Sequence, residues 1–199
     1  MRVKSHWFKS ERPKTPEEVA GALAFISFRV AQNALKSMRK AGFDIDPGPA
    51  YFAFLSEVLV YCLQVSWRLA HGQFDASGAA AFMTALANRA GATLAENRAD
   101  LLGDADAASH KAAFVDRVNA SFAEYGEFGY GPEGPDFGFL RYFASCIARL
   151  MGGKDERWAW DQVIAIEGPE AAGTIAKAFA GLNETGPGRR KRRAATTGE

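Results

Sequence analysis

Cysteine, histidine and β-branched runs are all scarce in this chain, and each shortage closes off a class of protein. The two cysteines, Cys62 and Cys146, each sit inside an apolar stretch. They suit buried, reduced thiols better than the disulfide framework of a secreted domain. The three histidines, His6, His71 and His110, are scattered. No Glu-x-x-His pair of the bundle di-iron kind and no paired cysteines for zinc accompany them, so neither a metal nor a cofactor is expected. Val, Ile and Thr runs are rare and alanine is abundant, which favours helix over sheet. No GxSxG, SxxK or Walker sequence occurs, so the common hydrolase and nucleotide signatures are missing. The N-terminal charges are not followed by an apolar h-region, and no secretory signal is expected.

What remains is an ordinary globular composition, 48% hydrophobic and 24% charged over 199 residues, enough for one domain with tails. The formal net charge of +1 conceals a strong polarity. Residues 1–14 carry +4 through Arg2, Lys4, Lys9, Arg12 and Lys14 against Glu11. Residues 183–199 carry +3, chiefly through Arg189, Arg190, Lys191, Arg192 and Arg193. The body between them is therefore at −6. An acidic body with two basic ends suits electrostatic attachment to something anionic.

The chain is organised around Tyr51 to Ala70, apolar almost all the way round a helix apart from Glu57, Gln64 and Arg68. A helix so patterned belongs at the centre of a bundle. Its length also matches a membrane span, but Glu57, Gln64 and Arg68 would be costly in lipid and no second span offers them partners. Before it, Thr15-Pro16-Glu17-Glu18 reads as a capping box opening a helix that Gly42 closes. After it come an alanine-rich helix from Asp75 or Ser77 to Leu102 and a fourth over about residues 107–125. A fifth runs from Pro135 to Met151, a sixth over about 156–167, and a last over about 170–182 after a bend or break at Gly168-Pro169. Two passages echo each other: Arg29, Gly48-Pro49, Phe54-Leu55 and Cys62, then Arg117, Gly134-Pro135, Phe139-Leu140 and Cys146. They raise the possibility of a three-helix unit used twice.

The expected fold is thus all-α: a compact bundle of six to seven helices around a central helix over about 49–71. A basic arm precedes it (1–14), the helical domain covers 15–182, and a disordered basic tail follows (183–199).

Candidate chemistry is thin. Glu57, flanked by Leu55, Val58 and Leu59, is placed either as a desolvated acid–base group or as half of an ion pair with Arg29 or Arg141; the ion pair fits better, since no nucleophile lies near it in sequence. Gly129 to Gly134 has the letters of GxGxxG, but a helix precedes it, Pro132 lacks an N–H, and Glu133 and Asp136 would repel phosphate. Tyr125, Phe128, Tyr130 and Phe137, interleaved with glycines, form either a recognition loop for a protein partner or a plug between helices. The expected function is a non-enzymatic, cytoplasmic interaction or adaptor module, with self-association plausible from apolar edges. The alternatives are attachment to nucleic acid or an anionic membrane through Arg189, Arg190, Lys191, Arg192 and Arg193, and a small-molecule or enzyme pocket near Glu57.

Overall fold

The computed structural model describes residues 13–45, 47–103, 106–151 and 153–184. The expectations for the basic arm up to Arg12, and for the tail including Arg189 to Arg193, fall outside these residues. The described chain is helical nearly throughout, with α1 (Pro16–Lys40), α2 (Pro49–His71), α3 (Ala76–Leu102), α4 (Ala107–Gly126), α5 (Phe137–Met151), α6 (Glu156–Gln162) and α7 (Gly168–Asn183). Between α4 and α5 a minimal antiparallel hairpin pairs β1 (Tyr130–Gly131) with β2 (Gly134–Pro135).

The helix ends follow the local chemistry. Thr15 and Glu18 form the reciprocal capping box at α1, with Glu18 N donating to Thr15 Oγ1 and Thr15 N to Glu18 Oε2. Asp75 accepts from Gly78 N at 2.7 Å to cap α3. Asp106 accepts from Ser109 N at the head of α4. Gly103 takes the left-handed conformation (φ 67°) that closes α3, which a side chain would strain. The fifth helix starts two residues later than expected: Pro135 belongs to the hairpin, and Asp136 caps the helix by accepting from Phe139 N at 2.7 Å.

α2 is the hub, in contact with α1, α3, α4, α5 and α7. It is the one helix among the described residues long and apolar enough to cross a membrane, and 67% of its most apolar window is buried inside the bundle. Leu55, Leu59, Tyr61, Cys62, Leu63 and Val65 are fully buried. Tyr61 stacks on Phe143 of α5 (4.1 Å between centroids, 17° between planes) and donates its hydroxyl hydrogen to Gly168 O at 2.9 Å. One side chain thus ties α2 to α5 and to the start of α7.

The bend or break expected at Gly168-Pro169 takes the form of a π turn, and the chain stays helical through it. A π-helical turn over Val163–Glu167 joins α6 to α7, and Gly168 N donates to Val163 O across it. The wide turn accommodates Pro169, whose missing N–H would otherwise leave a gap in an α-helical ladder. Packing at 168 favours glycine, since a Cβ there would meet Leu140 Cδ2 at 2.7 Å and Val163 O at 3.0 Å.

Packing in the two halves is unequal. α1 lies along much of α3, whereas α4, its counterpart in the supposed repeat, packs on α3 and α2 and has no comparable contact with α6 or α7. Arg29 is exposed on α1, while Arg117 is half-buried in an ion cluster.

Candidate functional site

The three strongly polar residues of the central helix, Glu57, Gln64 and Arg68, are spaced seven and four apart and therefore share one face. All three meet α4, at Arg117, Ser121 and Tyr125, which are themselves four residues apart. Glu57 accepts both Nε (2.9 Å) and Nη2 (3.0 Å) of Arg117 in a bidentate pair. Gln64 Nε2 donates to Ser121 Oγ at 2.7 Å, and that hydroxyl donates on to Val118 O. Arg68 Nη2 donates to Tyr125 O (2.8 Å), which also accepts from Phe128 N, and to Phe128 O (3.0 Å) just past the end of α4. The contacts advance along both helices together, so α2 and α4 run parallel and this polar seam sets their register.

The partner of Glu57 is therefore Arg117. Neither Arg29 nor Arg141, the two expected from sequence, takes that role; the guanidinium of Arg141 lies over the Trp160 ring instead, 6.0 Å from its centroid. Arg117 also donates through Nη1 to Glu124 Oε2 at 2.7 Å. Burial works against the Arg117 cation, but the hydrogen bonds and charges of Glu57, then of Glu124, outweigh it and hold its pKa above the ordinary value. Glu124 is likewise opposed by burial, yet hydrogen bonds from Tyr142 and Arg117 leave its pKa lowered. A cavity of about 310 Å³ opens beside this cluster, lined in part by Cys146 and Arg149. Burial, then the nearby charge of Glu57, raises the Cys146 thiol pKa although Arg149 Nη2 is 3.2 Å away. Burial pushes Cys62 up to about 12. Neither thiol is activated, and the Glu57 carboxylate already has both oxygens engaged. The cluster clasps α2 to α4 electrostatically.

The aromatic-glycine segment turns mostly inward. Tyr125 is fully buried, with its ring 4.6 Å from Phe139 and 4.8 Å from Tyr142. Phe128 packs on Tyr142 and Tyr130 on Phe139, both half-buried. Phe137 alone of the four projects outward, at 66% exposure. Asp136 Oδ2 accepts from Gly129 N at 2.7 Å, so the GxGxxG-like stretch spends that N–H on its own carboxylate.

A second recess lies elsewhere, between the end of α1 and the outer face of α6. A groove of about 420 Å³ is walled by Ala41, Phe43, Asp155, Trp158, Asp161 and Ile166, among others. Trp158 is 70% exposed and Ile166 40%. Neither Asp155 nor Asp161 pairs with a cation among the described residues. Its lining offers an aromatic face, an apolar wall and two carboxylates. Trp158 was not among the residues expected from sequence, although the spacing of the two tryptophans carried a signal. Trp158 and Trp160 stand two apart on a helix, about 200° round its axis, so both cannot face one core. Trp160 packs inward and Trp158 is left outside.

Among the described residues no cluster of His, Cys, Asp and Glu could hold a metal ion. Compared with protein-family models, curated proteins and solved structures, the chain matches none.

Proposed function

We propose that this protein is a non-enzymatic interaction module of the cytoplasm, and that its docking surface is the groove beside Trp158. The observation that carries the reading is a tryptophan left mostly in solvent beside two carboxylates that pair with no cation among the described residues. Covering a tryptophan exposed to that degree removes on the order of 150 Å² of largely apolar area, a gross gain of ~4 kcal/mol. Exposed tryptophans that adjoin a pocket are the residues that dominate protein interfaces. The partner segment that fits combines arginine or lysine for Asp155 and Asp161 with an apolar side chain for Ile166 and Phe43. A guanidinium would also stack on the indole face. The inward packing of Tyr125, Phe128 and Tyr130 favours this groove over the aromatic-glycine loop as the contact surface.

The test is a labelled peptide alternating arginine and leucine, titrated by fluorescence anisotropy. Binding should weaken ~10-fold or more in Trp158→Ala, and a peptide with glutamate in place of arginine should not bind. Equal affinity for wild type and Trp158→Ala would remove the groove as the docking surface.

A further inference from the structure

The two ends of the molecule carry opposite chemistry. Lys14 Nζ donates to Leu182 O, so the start of α1 lies against the end of α7. Both basic terminal segments therefore join the bundle at one pole. The Trp158 groove lies at the other, where Ala41 and Gly42 close α1. The 25 residues of α1 separate the two poles by roughly 37 Å. Counted from Glu184, a fully extended chain brings Arg189 roughly 18 Å away and Arg193 roughly 32 Å. Even fully extended, Arg189, Arg190 and Lys191 fall short of Asp155 and Asp161 in their own chain's groove, and only the end of the cluster comes within reach of it.

We propose that the groove receives Arg189, Arg190, Lys191, Arg192 and Arg193 from a second copy of this chain, so that copies associate head to tail. The proposal rests on the docking surface proposed above and names its occupant. The charges are complementary: the cluster supplies five cations, and the groove supplies Asp155, Asp161 and the Trp158 face, on which a guanidinium stacks more readily than an ammonium. Donor and acceptor surfaces differ, so the contact is heterologous. Each open assembly keeps one free tail and one free groove, and it grows until a ring closes.

Two full-length variants test this by sedimentation. One carries glutamine at all five positions from 189 to 193. The other combines Asp155→Asn, Trp158→Ala and Asp161→Asn. At low salt the wild-type mass should rise with concentration through the micromolar range and return to that of a monomer at high salt. Each variant alone should remain monomeric, and the two mixed in equal amounts should form a dimer containing one of each and nothing larger. A wild type that stays monomeric overturns the proposal, as does a mixture that fails to combine or a tail variant that associates like wild type. If the wild type stays monomeric but still binds the arginine–leucine peptide through Trp158, head-to-tail association falls while the docking surface stands. If neither occurs, both fall. Salt-sensitive capture of a single-stranded oligonucleotide by monomeric wild type would reassign the cations to nucleic acid and likewise overturn the proposal.

Discussion

Replacing Arg117 by methionine should loosen α2 from α4 more than any surface change could. The side chains of Arg117, Glu57 and Glu124 retain 25%, 16% and 37% of their exposure, so the cluster is neither a surface pair nor a fully dry one. Exposed pairs contribute roughly 0–1 kcal/mol, whereas removing one partner of a buried pair costs roughly 3–5 kcal/mol. With partial solvent screening, Arg117→Met should cost about 2–3 kcal/mol, most of it from the stranded Glu57 carboxylate. For a domain of this size that is a fall in Tm of roughly 5–10 °C. Glu57→Leu should cost less, because Arg117 keeps Glu124. The double variant Glu57→Leu/Arg117→Met should recover much of the loss, since it buries neither charge. Urea unfolding of the four proteins gives the coupling by a double-mutant cycle, expected at about 1.5 kcal/mol or more. Molar salt, with a screening length of about 3 Å, should remove less than half of it. A coupling below about 0.5 kcal/mol, or one abolished by salt, would show the clasp to be a solvated surface pair and refute the reasoning.

Three further predictions concern the core. The Tyr125 hydroxyl is buried and finds no hydrogen-bond partner among the described residues, whereas that of Tyr61 donates to Gly168 O. Tyr125→Phe should therefore be neutral or stabilising while Tyr61→Phe costs about 1 kcal/mol, and equal losses in denaturant melts would contradict the structure. Burial raises the pKa of Glu167 despite hydrogen bonds from Ser37 and Gln162. Its contribution is complete below the ordinary carboxylate range and is lost as pH rises through the raised folded value. Glu167→Gln should flatten that decline and be at least as stable as wild type at alkaline pH. A difference in Tm that does not vary with pH would count against it. Gly168→Ala should cost about 1–3 kcal/mol by overpacking against Leu140 and Val163 O, measured by thermal melting; an unchanged Tm would mean that the contact relaxes freely.

The parts of the fold that local chemistry decides could be read from sequence. Thr15, Pro16 and Glu18 announce α1, Asp75 caps α3, and the apolar rod at Tyr51–Ala70 is the hub it was expected to be. The run of small and apolar residues around α2 could not specify which charge Glu57 would face. Arg29, Arg117 and Arg141 all lie in apolar helical sequence, and only the parallel docking of α4 selects Arg117. The form of the irregularity at Gly168-Pro169 was hidden for a related reason: proline forbids an α-helical bond but not a π turn, and Tyr61 and Leu140 pack on that turn from outside the segment. The groove lay hidden because its walls come from residues more than a hundred positions apart, at Ala41 and Asp161.

The π turn between α6 and α7 also acts as a phase setting. It inserts one residue into an otherwise continuous rod, and each residue of an α-helix advances the side chains by about 100°. Deleting one residue there while keeping α7 seated on α2 would swing Trp158 and Asp161 round the axis by that angle. The aromatic face would leave the end of α1 and rotate toward another side of the molecule. The direction in which this protein presents the Trp158 ring is thus fixed by a single extra peptide unit, flanked by a glycine against which Leu140 packs closely.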